Sequence, residues 1–237
     1  MGIIAKPLGL LLTGIYNIVN NYGIALIIFT IVVRVCMIPL YTKQIKTSAE
    51  MSSMQPKIQE IQQRYAKNPE LMQQKISEVY AEYNYNPMSG CLPMLIQMPI
   101  IMGLFALLRN PMLYVNSESM IMAVHESFLW VSDLSQPDTW ILPIAAGLTQ
   151  YFSFTTQTAT MDQSSAGMMN SMKYFFPVMI FLMGRSFPAG LSLYWFVGTL
   201  VTIAQNFMLR GYKDKVKEQA AENRSKKKNG GKDKKKK

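Results

Sequence analysis

Five stretches of the chain are apolar enough to form helices inside a lipid bilayer, and more polar segments separate them. The first, residues 22–40, has 19 residues and would be about 28 Å long as a helix, close to the roughly 30 Å of a bilayer core. Similar stretches predict further spans at residues 91–108, 140–156, 174–184 and 188–209. We place a break at residues 185–188, because one helix through the last two stretches, about 54 Å long, would be too long for a membrane.

The first 21 residues carry a helical pattern of their own. Apolar side chains recur at helical spacing on one face, and small polar side chains share the other. The apolar positions are Leu8, Leu11, Leu12, Ile15 and Val19, and the polar positions are Thr13, Asn17 and Asn20. The pattern predicts an amphipathic helix at residues 1–21 that lies in the extracytoplasmic membrane interface. The alternative is an N-terminal extension of the first span.

The segment 41–90 contains two apolar stripes with the same steps of four, three and four residues. The stripes are Met54, Ile58, Ile61 and Tyr65, followed by Met72, Ile76, Val79 and Tyr83. Between them, Asn68 and Pro69 have the residue types of a helix N-cap and a first helical position. We predict an antiparallel helical hairpin, which is either a soluble spacer or a docking arm for substrate or partners.

Charge is scarce in most of the chain and concentrated at its C-terminus. Only 16% of the 237 residues are charged, against about 25% in soluble domains, and 13 of the 24 Lys and Arg residues lie in residues 210–237. Segment 41–90 has six basic residues, whereas segment 109–139 has one Arg and four acidic residues. By the positive-inside rule, segments 41–90, 157–173 and 210–237 are cytoplasmic, and the N-terminus and loop 109–139 lie outside.

Several function classes are disfavoured by residues that the sequence lacks. Its two cysteines and one histidine do not form a ligand cluster, and no glycine-rich phosphate loop is present, so we expect no metal or cofactor. Cys36 and Cys91 are expected to be free thiols in a reducing compartment. The predicted spans contain no Asp, Glu, His or Lys, which argues against a proton-coupled transporter. A structural or channel-forming membrane protein remains an alternative.

Arg34 is the exception to the apolar character of the first span, and it has no acidic partner in any predicted span. A charged residue at a helix centre costs roughly 2.5–3.5 kcal/mol on insertion scales. One solution is that the side chain extends to the nearby interface. The other is a water-filled cavity between helices that opens towards the cytoplasm.

Four segments resemble the YidC/Oxa/Alb family of membrane-protein insertases, in the short bacterial form without a large extracytoplasmic domain. They are NYGIALIIFTIVVR at 21–34, QPKIQEIQQRY at 55–65, NPMSGCLPMLIQMPI at 86–100 and FPAGLSLYW at 187–195. Their order and spacing extend the resemblance from about Ile3 to Tyr212. It implies an all-α polytopic membrane protein, with five transmembrane helices around a hydrophilic groove that opens to the cytoplasm and to lipid.

The resemblance also implies which residues line that groove. Arg34 falls at the family's groove arginine, and Gln97 lies in its LIQMP segment. Tyr194 and Trp195 fall at the aromatic end of the last span, along which substrate helices are thought to slide.

The chain departs from the family pattern at two places. Relatives often have Gln near positions 153–154, where this chain has Ser153 and Phe154, so we expect Gln150 or Ser153 to supply the polar contact from the third span. At positions 198–199, Gly and Thr stand where relatives often carry Asn, which we interpret as packing variation.

The function that the resemblance implies is a non-enzymatic insertase and chaperone of the bacterial plasma membrane. Its partners would be nascent membrane proteins, the lipid bilayer and, in some reactions, the Sec translocon, and it would function as a monomer. The basic tail 210–237 is expected to be a flexible arm. It would fix topology, bind anionic lipid or bind ribosomal RNA, and the resemblance favours the ribosome.

Overall fold

The computed structural model describes residues 2–86, 92–114, 118–158 and 166–233, which form ten α-helices. The helices are α1 Gly2–Val19, α2 Tyr22–Cys36, α3 Ile38–Arg64, α4 Pro69–Glu82, α5 Leu92–Arg109, α6 Glu118–Ala123, α7 Ile141–Thr158, α8 Ala166–Gly184, α9 Ala189–Met208 and α10 Arg210–Asp233. In these ranges no β-strand is present, and Phe128 and Val131 form an isolated β-bridge. The all-α class predicted from the sequence is confirmed.

The helices that cover the predicted spans differ from them by more than two residues at two ends. The helix of the first predicted span, α2, stops at Cys36 rather than at residue 40, and Met37 separates it from α3. Pro39 explains this break, because proline has no N–H to donate to the carbonyl four residues earlier, at Val35, and its ring clashes with that carbonyl in a continuous helix. The helix of the fourth predicted span, α8, begins at Ala166 rather than at Tyr174. It ends at Gly184, directly before the predicted break at residues 185–188.

Length and composition alone pick out few of these helices as membrane spans. Among the described residues, α9 is long and apolar enough to cross a bilayer, and α2 and α3 meet the same criterion when they are taken together. Shorter apolar helical segments cover residues 5–19, 97–109 and 173–184.

The chain divides into two compact units, and the first contains residues 1–38, 94–159 and 168–206. Its core is built from the inner faces of α1, α2, α5 and α9 together with the loop before α7. Fully buried members include Leu12, Tyr22, Leu26, Phe29, Leu104, Leu107, Leu134 and Tyr194.

The outer faces of this unit are apolar as well. On α7 and α8, large apolar side chains remain exposed at steps of three or four residues: Ile144, Leu148 and Phe152, then Phe175, Val178 and Leu182. Continuous exposed apolar stripes of this kind are suited to contact with lipid rather than with water.

The second unit contains residues 39–93, 160–167 and 207–237, and its described part includes the hairpin α3–α4. Seven of the eight residues in the two predicted stripes belong to one apolar cluster, in which Met54, Ile58, Ile76 and Val79 are buried, whereas Tyr65 is not part of it. The side chain of Asn68 accepts a hydrogen bond from the Leu71 N–H at 3.1 Å, as an N-cap does. The hairpin is therefore held together by the residues that the sequence pattern indicated.

The basic C-terminal segment differs from the flexible arm that the sequence predicted, because it is helical from Arg210 to Asp233. Its Lys, Glu, Gln and Ala residues are good helix formers. Near its start, Val216 is buried and the Lys213 ammonium lies over the ring of Tyr41, 5.7 Å from the centroid. This packing anchors the first turns of α10 within the second unit.

Candidate functional site

Arg34 lies in the last turn of α2 with its guanidinium turned inward. Its Nε atom is fully buried and, among the described residues, has no hydrogen-bond partner. The head group lies beside α9 at Gly198: a methyl group added to Gly198 would come within 2.8 Å of Nη2 and 3.0 Å of Nε. Arg34 is therefore a half-buried cation, and its enclosed Nε atom has no hydrogen-bond partner among the described residues.

Tyr194 and Gln97 form the neighbouring polar pair. The Gln97 amide nitrogen donates a hydrogen bond to the Tyr194 hydroxyl at 3.1 Å, which connects α5 with α9. The Tyr194 ring packs at a tilt against Phe29 of α2, with 6.5 Å between centroids. Its hydroxyl is also near enough to Arg34 to interact with the guanidinium charge. The structure thus brings together three of the residues predicted from the sequence.

Gln150 supplies a polar contact from α7. Its Oε1 atom faces two donors on α9, the Trp195 indole N–H at 3.4 Å and the Thr199 hydroxyl at 3.3 Å. Ser153, one turn further along α7, is buried at 2% exposure. Gln150, one of the two candidates in the third span, is thus placed to make polar contacts with α9.

Helix α9 organises the site because two of its neighbouring faces meet different helices. Trp195 and Thr199 face Gln150 of α7. Gly198 contacts the Arg34 guanidinium, and the Gln205 amide donates to the Arg34 carbonyl at 3.4 Å. Positions 198–199 were interpreted from the sequence as packing variation, and neither contact was predicted. The signal in the sequence was a hydroxyl at membrane depth, next to a glycine inside an apolar helix.

At the opposite end of the first unit, the loop before α7 packs over the starts of α2 and α9, and we call this region the loop end. The Glu126 carboxylate accepts two hydrogen bonds, from the Tyr16 hydroxyl and from the Tyr22 N–H at 2.8 Å. The hydrogen bond to Glu126 raises the pKa of Tyr16, and burial raises it further. No local pattern in the sequence singles out Glu126, because its partners are 110 and 104 positions away.

Close packing and backbone hydrogen bonds complete the loop end. The ring of Phe128 lies directly over Gly23, so closely that a methyl group there would overlap a ring atom at 2.1 Å. The first two N–H groups of α9, from Ala189 and Gly190, donate to loop carbonyls at 2.8 and 2.9 Å. The first turn of α9 is thereby capped by the loop itself.

Side chains that bind metals or carry thiols are few and scattered among the described residues. They contain no group of three or more His, Cys, Asp or Glu side chains that could hold a metal ion. Cys36 is an exposed free thiol, and Cys91 lies outside the described residues.

Exposed apolar helix faces, together with a half-buried cation whose Nε atom the described residues do not satisfy, define an α-helical membrane protein with a polar internal site. The family described as 60Kd inner membrane protein matches residues 14–217, and the chain belongs to this family. The membership in the YidC/Oxa/Alb group that the four sequence motifs predicted is confirmed.

Individual relatives agree with this assignment. The chain is 35% identical to "Membrane protein insertase YidC" of Fusobacterium nucleatum, over 81% of this chain and 87% of the relative. It is also 35% identical to "Membrane protein insertase MisCA" of Bacillus subtilis, over 88% and 78%. A solved structure described as an active YidC insertase with its first transmembrane domain resolved is similar at a TM-score of 0.64 and 31% identity. That alignment covers 86% of this chain and 45% of the solved chain.

Proposed function

We propose that this protein is a membrane protein insertase and chaperone that passes hydrophobic segments of nascent proteins from the cytoplasm into the lipid bilayer. The observation that carries the proposal is the half-buried Arg34 side chain, whose enclosed Nε atom no described residue satisfies inside an apolar helix bundle. The relatives named as insertases, which are similar over most of their length, support it.

The proposed arrangement has five transmembrane helices, which are α2, α5, α7, α8 and α9. Helix α1 lies in the extracytoplasmic interface, and the hairpin α3–α4 and helix α10 are cytoplasmic. The basic residues of the hairpin and the tail favour this orientation. In it, the loop end faces outward, and Arg34 lies towards the cytoplasmic end of α2.

The groove acts by shortening the apolar path for the polar part of a substrate. Arg34, Gln97, Gln150, Ser153, Tyr194 and Trp195 line a hydrated cavity in which water satisfies the guanidinium, since a charge left dry in the bilayer centre would cost several kcal/mol. A polar or acidic substrate segment enters this cavity and is attracted by the positive charge. The substrate's apolar helix then leaves for lipid, driven by about 25 cal/mol per Å² of buried apolar surface.

The packed loop end argues against a channel. Met120, Val124 and Leu134 are completely buried at the loop end, and Glu126 holds the loop to α1 and α2. A groove that is closed at this end lets a segment enter from one side and leave sideways into lipid. No covalent bond is made or broken, and no cofactor takes part.

The cytoplasmic elements serve as contacts for partners. The hairpin offers a docking arm, and the basic residues of α10 attract the phosphates of ribosomal RNA, which places the nascent chain near the groove. The protein acts as a monomer, either alone or with the Sec translocon.

Insertion assays in proteoliposomes test the role of the charge. With a substrate whose translocated segment carries an acidic residue, Arg34→Ala should lower insertion roughly ten- to a hundredfold, since hydrogen bonds to charged groups contribute about 1.5–3 kcal/mol. Arg34→Lys should keep most of the activity, because it retains the positive charge.

Two controls sharpen this assay. Val35→Ala changes an exposed neighbour on the same helix and should have little effect. Replacing the acidic residue of the substrate by Asn should reduce the difference between the Ala and Lys variants. Full insertion by the Arg34→Ala variant would rule out the proposed role of this charge.

A further inference from the structure

Gly198 is the residue of α9 that lies against the Arg34 head group. A methyl group added to Gly198 would lie 2.8 Å from Nη2, 3.0 Å from Nε and 3.3 Å from Cζ. Distances of 3.0 Å or less are shorter than normal contacts between carbon and nitrogen atoms. The guanidinium therefore occupies space that any other amino acid at position 198 would claim.

Other glycines of the bundle have different neighbours. Gly190 approaches Leu26, Leu108 and a loop carbonyl, and Gly147 approaches the Pro177 carbonyl and Phe181. These glycines let helices and the loop pack closely. Among the described glycines with close neighbours, Gly198 is the one whose neighbour is a charged head group.

The remaining contacts of Arg34 hold its backbone rather than its charge. Gln205 donates to the Arg34 carbonyl, whereas Nε has no hydrogen-bond partner among the described residues. The position of the charge is thus set largely by shape, in the gap at Gly198 and beside Tyr194.

We infer that Gly198 is a positioning residue, which holds the Arg34 guanidinium against α9 and next to the Tyr194 hydroxyl, where it can meet a polar substrate segment. This inference rests on the proposed function. A side chain at position 198 would push the flexible end of Arg34 away from this place and misplace the charge without removing it.

A double-mutant cycle with Gly198→Ala and Arg34→Ala tests the inference by two measurements. The first is the melting temperature of the purified protein. Alanine favours a helix over glycine, so Gly198→Ala should raise the melting temperature by about 2–4 °C in the Arg34→Ala background. With Arg34 present, displacement of the guanidinium should cancel this gain.

The second measurement is insertion of a substrate with an acidic translocated segment. Gly198→Ala should lower insertion roughly three- to tenfold when Arg34 is present, within the range expected for residues in contact. It should have no further effect on the Arg34→Ala protein. In the Arg34→Lys background the loss should be smaller, because lysine has no branched group at the positions of Cζ and Nη2.

Gly147→Ala is the matched control, because this glycine packs against Pro177 and not against Arg34. Its effects should add to those of Arg34→Ala in both measurements.

Additive effects of Gly198→Ala and Arg34→Ala on the melting temperature would show that the two residues are not in contact. Coupled melting with additive insertion would show that Gly198 only packs, and would overturn its positioning role. If Arg34→Ala alone inserts normally, the proposed function fails instead, and the melting cycle still decides the contact.

Discussion

The loop end and the Arg34 site belong to the same compact unit, but they differ in whether their polar groups have hydrogen-bond partners within the protein. At the loop end, the Glu126 carboxylate accepts two hydrogen bonds, and the first N–H groups of α9 are paired with loop carbonyls. At the other site, the Nε atom of Arg34 is buried, and no described residue satisfies it. Polar groups that are paired within the protein stabilise a fold, whereas a charge that the protein leaves to water contributes little to stability and is better explained by a binding function.

This difference separates what holds the protein together from what it does. We expect substitutions at the loop end to lower stability. At Arg34, we expect substitutions to lower insertion while they leave stability unchanged or higher.

The largest effect is expected for Gly23→Ala at the loop end. The new methyl group would overlap the Phe128 ring, and overpacking a tight core costs about 3 kcal/mol, which corresponds to a drop in melting temperature of roughly 6–12 °C. Thermal unfolding of the purified protein measures it. Phe128→Ala should relieve part of the loss when it is combined with Gly23→Ala.

Gly14→Ala is the control, because nothing lies within 4 Å of a methyl group at that position. It should not lower the melting temperature. A Gly23→Ala protein that melts like the native one would contradict the close packing of the loop end.

A smaller change of opposite sign is expected for Arg34→Met. Replacing a half-buried charge that has no ionic partner by an apolar side chain of similar length should leave stability unchanged or raise it by up to about 1–3 kcal/mol, while insertion is lowered. Arg64→Met, on the exposed part of the hairpin, should change neither property. If Arg34→Met melts well below the native protein, Arg34 supports the fold and the contrast between the two sites is wrong.

The elements of the fold could be predicted from the sequence where one local pattern decides them. The helical stripes of the hairpin pack as their spacing indicated, and Asn68 caps α4. The interruption at Met37 has a local cause in Pro39, but it falls inside an apolar stretch and was not predicted. The helix of the basic segment was missed for another reason. Its high charge and low complexity led us to predict a flexible arm, although its Lys, Glu, Gln and Ala residues favour a helix.

The candidate site was predictable only in part. Arg34 was conspicuous because a charge interrupts an apolar span, and Gln97 and Tyr194 came from the family resemblance. Glu126 and Gly198 owe their roles to partners more than 100 positions away along the chain. A loop carboxylate and a helix glycine are ordinary residues in a sequence, so the folded structure was needed to find them.

The most direct test of the hydrated groove is the access of water to position 34. Arg34→Cys would be placed in a chain without Cys36 and Cys91 and treated with a membrane-impermeant thiol reagent, in inside-out and right-side-out vesicles. The matched control is Val32→Cys, since Val32 is exposed on the apolar surface of the same helix. We predict rapid labelling of position 34 from the cytoplasmic side, little from the outer side, and slow labelling of position 32 from both. Failure of position 34 to react from the cytoplasmic side in folded protein would contradict the hydrated groove.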